Sequence, residues 1–312
     1  MLPVADGSDY AGSLRNPAAF NNVLGFRPTF GRVPSAGGEL FLSQQGVAGP
    51  MARRVEDLAM LLSVMAGPDG GAPLSIPEDP AAFARLPEGE VRGVKIAWLG
   101  DLGGHLPMEA GVLDLCRQGL KALEELGCVV EEARPDFPPD RLWQSFLVLR
   151  QGVIGGGLAP LYNDPEKRAQ MKPEARWEVE QGMRLSAFDV YNASAARSAW
   201  YRAVEALFGR YDHLALPSAQ VFPFDATTHW PREVAGRAMD TYHRWMEVVV
   251  PATMAGCPTI AVPAGFDRHG LPMGMQLVGP VRGELSVLRL ALAYERATGW
   301  VGRRPPPPLG RA

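Results

Sequence analysis

A cluster of turn-forming residues lies close to the start of the chain, where Gly7-Ser8-Asp9 is followed at once by Ala11-Gly12-Ser13. Met1 to Ala5 is a short apolar run that reads as a strand, and Gly, Ser and Asp are the residues that end strands and open turns. The residues after the cluster, Leu14 to Phe20, contain Pro17 followed by two alanines, which suits the first turn of a helix. A strand, a sharp turn and a helix within twenty residues commit this end of the chain to an architecture in which strands and helices alternate. Ser13 is expected in the tight loop between the two elements.

Ala11 and Gly12 are small, so the backbone before Ser13 can bend sharply and a substrate carbonyl can approach main-chain N–H groups. The N–H groups of Tyr10, Ala11, Gly12 and Ser13 could then act as an oxyanion hole, with the start of a helix adding positive potential nearby. The plainer reading of the same residues is a Gly/Ser/Asp turn in which Ser13 is an ordinary helix cap.

The rest of the chain continues the alternation. Val94 to Leu99 reads as a buried strand, 109–127 as an amphipathic helix with apolar Val112, Leu115, Leu120, Leu123 and Leu126, and 128–132 as a returning strand. That is a βαβ unit of the kind that builds parallel sheets. Residues 187–208 and 285–297 read as helices, His213 to Pro217 as a strand and 242–251 as helical, while the Pro- and Gly-rich stretch 67–87 reads as a surface loop. No internal repeat is present. The expected fold is α/β: one domain over residues 1–302 with an open mixed sheet covered by helices on both faces, followed at 303–312 by an extended or disordered Pro/Arg-rich tail.

A length of 312 residues with 46% hydrophobic content is ordinary globular material, and a net charge of -3 carries no footprint for nucleic acid or an anionic membrane. No signal peptide and no apolar run long enough to span a bilayer is visible, so the default location is cytoplasmic. Cys116, Cys128 and Cys257 lack C-x-x-C spacing or a grouping with histidine, so neither a metal site nor a disulfide framework is expected. They read as free, buried thiols in a reducing compartment.

Longer blocks sharpen the functional reading. Asp9, Gly12-Ser13-Leu14-Arg15, Pro17-Ala18-Ala19-Phe20 and Gly25-Phe26-Arg27-Pro28-Thr29-Phe30-Gly31-Arg32-Val33 resemble, at matching spacing, the nucleophile block of the amidase signature family of serine hydrolases. Gly49 to Ala59 resembles the family's G-P-M-[AT]-R-x-V-x-D-[LA]-A segment entering a helix that runs to about Ala66. Gly256 to Gly265 and Gly270 to Gly279 resemble its closing strand pair. The resemblance implies that Ser13 is the acyl-enzyme nucleophile, that Tyr10, Ala11 and Gly12 join it as oxyanion donors, and that Asp9 and Arg15 brace the loop. On the residues alone, Asp9 and Arg15 could equally be a simple surface ion pair. One departure is that the first of the family's two glycines is Ala11 here, a residue that tolerates positive φ poorly.

The family's base is a lysine acting through a second serine in a Gly/Ser-rich loop, and both precede the nucleophile. Only twelve residues precede Ser13, and the four lysines, Lys95, Lys121, Lys167 and Lys172, all follow it. None of the five histidines, at 105, 213, 229, 243 and 269, has a spacing tied to Ser13. The chain therefore reads as the C-terminal portion of an amidase-signature hydrolase, truncated at its N-terminus. The resemblance implies cleavage of a small linear carboxylic amide with no metal or organic cofactor. The alternatives are an inactive half-domain that needs a separate N-terminal chain or is a broken gene product, and a glutamine-hydrolysing subunit of a transfer-RNA amidotransferase. Asn21-Asn22 and Phe26-Arg27-Pro28 place it nearer the stand-alone amidases. A homodimer or a complementing chain is the expected protein partner, because missing upstream elements leave a sheet edge and an apolar face uncovered. Residues 136–177 are the least family-like, and the aromatics Trp143, Phe146 and Trp177 are the candidate pocket walls, with core packing as the competing role.

Overall fold

The computed structural model describes residues 2–35, 37–86 and 89–303. The tail expected at 303–312 lies outside the described residues apart from Arg303, which ends a short helix.

The strands are β1 (Val4–Asp9), β2 (Leu24–Arg27), β3 (Val47–Ala52), β4 (Lys95–Trp98), β5 (Val129–Glu132), β6 (His213–Pro217), β7 (Glu233–Val234), β8 (Arg237–Ala238), β9 (Thr259–Phe266) and β10 (Pro272–Val278). The α-helices are α1 (Arg15–Asn21), α2 (Val55–Met65), α3 (Val112–Glu125), α4 (Pro139–Asn163), α5 (Pro165–Gln170), α6 (Pro173–Gly182), α7 (Ala187–Phe208), α8 (Val250–Ala255), α9 (Glu284–Thr298) and α10 (Trp300–Arg303). Eight strands form one sheet in the order β1-β3-β2-β9-β10-β6-β4-β5, and β7 pairs with β8 in a separate ribbon. β4 runs parallel to β5 and β6, while the remaining pairs are antiparallel, so the sheet is mixed.

Why helices cover both faces follows from the residue pattern. In β6, Leu214 and Leu216 join the apolar cluster that holds Trp143, Phe146, Trp200 and Leu207, whereas Ala215 joins the cluster that holds Leu62, Leu123 and Leu288. Successive side chains point to opposite faces, and both are apolar, so the strand reads as a continuous hydrophobic run. The first cluster is roofed by α4, α7 and α8, and the second by α2, α3 and α9. Val112, Cys116, Leu120 and Leu123 of α3 are all buried, a stripe at helical spacing that packs on β9 and β10.

The βαβ unit at β4, α3 and β5 forms with the expected parallel pairing. The N-terminal strand differs from expectation. It covers Val4–Asp9 rather than 1–5, and Gly7, Ser8 and Asp9 pair with Gly49, Ala48 and Val47 instead of forming a turn. Glycine is used here for close approach: a Cβ on Gly49 would lie 2.1 Å from the Phe26 carbonyl oxygen and 2.9 Å from the Leu14 side chain. The turn starts one residue after the strand, at Tyr10. β2 lies inside a motif block that the sequence did not read as a strand; it is placed by its neighbours, between β3 and β9. Residues 67–86 are mostly loop, with one 3-10 turn at Pro80–Phe83 capped by Asp79.

One pH prediction arises from the sheet. His213 is buried in β6, and burial pulls its pKa down from 6.5 to about 4. Its folded pKa lies below its unfolded one, so its contribution is complete above pH 6.5 and is lost as the pH falls from there towards 4. The urea midpoint should therefore fall between pH 7 and pH 5, and His213→Gln should flatten that fall when the two midpoints are compared.

Candidate active site

β1 ends at Asp9 and α1 begins at Arg15, so residues 10–14 cross from sheet to helix in a single loop. Gly12 is the loop's left-handed residue, with φ of 90°, and a Cβ there would lie 2.1 Å from Asn16 Oδ1. Ala11 stays outside the left-handed region, so its Cβ costs nothing at this position. Ser13 is exposed. It does not cap α1, whose N-terminus has no side-chain cap bond.

A buried ionic network underlies the loop. Arg15 Nε donates to Asp9 Oδ2 at 2.9 Å and Arg15 Nη2 to Asp9 Oδ1 at 3.0 Å, a bidentate pair. Arg27 Nη1 donates to the Asp9 carbonyl at 2.5 Å and to Oδ1 at 3.2 Å. All three side chains are fully buried, so Asp9 and Arg15 are not a surface ion pair. Burial alone would push the Asp9 carboxyl up, but the Arg15 and Arg27 guanidinia hold it well below the usual carboxylate range. Burial also pulls Arg27 down to about 10, against the attraction of Asp9.

Arg15 reaches further than its own loop. Its Nη1 donates to the Val249 carbonyl at 2.8 Å and to Gln276 Oε1 at 2.7 Å, and its Nη2 to Thr253 Oγ1 at 2.7 Å. One guanidinium thus ties the loop to α8 and β10. Arg27, Gln276 and Thr253 had no assigned role in the sequence reading. The available signal was a charged residue, Arg27, and an amide, Gln276, set inside apolar strand sequence, where burial demands a partner.

The Asp9 carboxylate also accepts the Gly12 N–H at 2.8 Å and the Leu14 N–H at 3.3 Å. Gly12, expected among the oxyanion donors, has its N–H engaged by Asp9 in this structure. Among the described residues, the N–H groups of Tyr10, Ala11 and Ser13 have no acceptor.

A cleft of about 410 Å³ opens beside the end of β1, bordered by Ser8, Asp9, Tyr10, Phe30, Leu40 and Ile154. The expected aromatic walls do not line it. Trp143 and Phe146 are buried on the inward side of α4, packed against one another at 5.6 Å between ring centroids, and Trp177 leans on the same core. They belong to the hydrophobic interior because α4 turns one face to α7; Ile154, further along that helix, reaches the cleft instead.

No described side chain hydrogen-bonds Ser13 Oγ. The four lysines are exposed. His105, His229 and His243 pair with Glu247, Glu174 and Glu178, His269 accepts from Arg268, and His213 is held inside β6. Among the described residues no three His, Cys, Asp or Glu side chains group to hold a metal, and no helix is long and apolar enough to cross a membrane. The three cysteines are free and buried.

The serine stands on a strand-to-helix loop over a buried Asp-Arg pair, at one end of a mixed sheet, and residues 1–288 match the amidase family. The chain belongs to that family. It is 32% identical to an acylamidase of Rhodococcus erythropolis over 97% of its own length and 63% of that protein's. It is 32% identical to the A subunit of the glutamyl-tRNA(Gln) amidotransferase of Thermus thermophilus, over all of this chain and 68% of the relative. The fold resembles a bacterial aryl acylamidase of the amidase signature family, with a TM-score of 0.84 and 26% identity over 96% of this chain and 63% of that one. The chain thus spans a little under two thirds of the length of the acylamidases it matches.

Proposed function

We propose that this chain carries the nucleophile half of an amidase that cleaves small linear carboxylic amides through an acyl-enzyme on Ser13. The observation that carries the reading is the exposed Ser13 beside unengaged Tyr10, Ala11 and Ser13 N–H groups, on a loop held rigid by Asp9, Arg15 and Arg27. In the forward step Ser13 Oγ bonds to the carbonyl carbon while its proton passes through a base to the departing amine. The three N–H groups face the charge that develops on the carbonyl oxygen. Water then attacks the ester carbonyl, its hydroxyl completing the carboxylic acid and its remaining proton restoring the Ser13 hydroxyl as the ester C–O bond breaks. The three free cysteines fit a cytoplasmic setting.

A serine hydroxyl needs a base, and Ser13 Oγ has no hydrogen-bond partner among the described residues. That observation favours a second reading, in which this chain is silent alone and the base arrives on a complementing segment. β1 supports it: the strand stands at the sheet margin, paired with β3 on one side only. The amidotransferase relatives make glutamine a further substrate to assay.

A fluorophosphonate probe followed by peptide mass mapping tests the reading. Labelling confined to Ser13 and abolished by Ser13→Ala is the expected result for a competent amidase. A folded chain that stays unlabelled would show that it is not an enzyme by itself, and labelling restored by an added N-terminal segment would establish complementation.

A further inference from the structure

Asn16 lies three residues after Ser13, and only 6% of it is exposed. Its amide is oriented by its surroundings. Nδ2 donates to the Ser218 carbonyl at 2.8 Å, which leaves Oδ1 as the free end. Oδ1 rests against Gly12, where a Cβ would stand 2.1 Å from it. Val249 closes the same spot, with both of its γ-methyl carbons 3.0 Å from that Cβ position, and the Val248 backbone is held by Gln220 and Gln276. Among the described residues no donor reaches Asn16 Oδ1. Unlike Ser218 Oγ and Trp245 Nε1, which are unpartnered and sealed in the interior, this oxygen keeps accessible surface. A free acceptor on a buried, oriented side chain is normally completed by water or ligand.

The free donors of the loop flank the same residue. Ala11 and Ser13 stand on either side of Gly12 in sequence, and their N–H groups have no acceptor among the described residues, whereas the Gly12 N–H is turned to Asp9. Donors and acceptor thus border Gly12 together. A ligand that satisfies both must carry a carbonyl oxygen and an N–H on one edge. A trans secondary amide places its N–H opposite its carbonyl oxygen, and the cis form is rare. An ester has no N–H at all. A primary carboxamide has two N–H bonds, and one of them always lies on the carbonyl edge.

We propose that Asn16 Oδ1 is a specificity-determining acceptor that selects primary carboxamides. It takes the N–H on the carbonyl edge while the Ala11 and Ser13 N–H groups take the carbonyl oxygen. The inference rests on the amidase reading and narrows it, because the leaving group is then ammonia. Ser13 Oγ bonds to the carbonyl carbon, the C–N bond breaks, and the serine proton, carried by the base, completes the ammonia.

The test is equilibrium binding by NMR, in the Ser13→Ala chain, of benzamide, N-methylbenzamide and methyl benzoate. Benzamide should bind about fivefold more tightly than either of the others, the worth of one net hydrogen bond, and should shift the side-chain amide signal of Asn16. Adding Asn16→Leu should bring benzamide down to the level of N-methylbenzamide. Equal binding of benzamide and N-methylbenzamide in the Ser13→Ala chain would overturn the proposal, as would no binding of benzamide at millimolar concentration. A preference that survives Asn16→Leu would overturn it too, and would assign the selection to crowding by the N-methyl group. If the Asn16→Leu chain does not fold, the Asn16 signal decides, since it must move with benzamide and stay in place with methyl benzoate. Because Ser13 is absent from the test, a failure of the amidase reading appears separately, as absent fluorophosphonate labelling of a parent chain whose Ser13→Ala form still prefers benzamide.

Discussion

Asp9→Asn should lower the stability of this protein by about 3–5 kcal/mol, the usual cost of removing one partner from a buried ion pair. Asp9 faces two guanidinia, Arg15 and Arg27, and all three side chains are fully buried. The asparagine has nearly the same shape, so little is lost in packing. What changes is that two buried cations lose their counter-charge, and the Gly12 and Leu14 N–H groups lose a charged acceptor. Urea denaturation of the two proteins at pH 7 measures the effect, and a difference below 1 kcal/mol would refute the account. The sign with pH follows from the depressed carboxyl. Its contribution is complete above the unfolded pKa of about 3.9 and is lost as the pH falls towards the lower folded value. The gap between parent and variant should therefore narrow in acid. On the proposed nucleophile role, fluorophosphonate labelling of Ser13 should fall in parallel, because the loop that carries it is anchored by the same carboxylate.

Trp143→Ala should cost a similar amount, about 3–5 kcal/mol, for a different reason. Trp143 is 1% exposed and lies between Phe146 and the Arg244 guanidinium, which sits 4.7 Å from its ring centroid. Truncation leaves a cavity that α4, pinned against α7, cannot close. The prediction separates a core role from a substrate-binding one. Thermal unfolding should register the loss in full, while the affinity of small amides at a temperature where the variant remains folded should hardly move. A tryptophan that walled the pocket would show the opposite pattern. The same comparison applied to Ile154, which borders the cleft beside β1, should change ligand affinity more than stability.

Local pattern carried a large part of the fold. The stripe Val112, Leu120 and Leu123 marks α3, Ala187 to Phe208 forms α7 as read, and the run from His213 to Pro217 is β6. These elements are legible because their periodicity is set by the face they bury, and burial is encoded residue by residue. The Asp9 to Arg15 spacing likewise marks the place of the loop by residue type alone. Gly12 was legible as a bend, since only glycine takes φ of 90° without strain.

The sheet itself was not legible in that way. β2 is four residues long and is defined by β3 and β9, which follow it by about twenty and more than two hundred positions. Gly7-Ser8-Asp9 has turn chemistry, yet pairing with β3 overrides that propensity. The same distance in sequence hid the partners of Arg15: Val249, Thr253 and Gln276 meet its guanidinium only because α8 and β10 close over the loop. It also hid that the Gly12 N–H is spent on Asp9, and that Trp143 and Phe146 turn inward while Ile154 does not. The sequence by itself determined the family, the serine and the local elements, because those depend on residue type and short spacing. Which donors stay free, which aromatics are core and which buried acceptors lack a partner were decided by tertiary structure, because each depends on a contact between segments that no local pattern specifies.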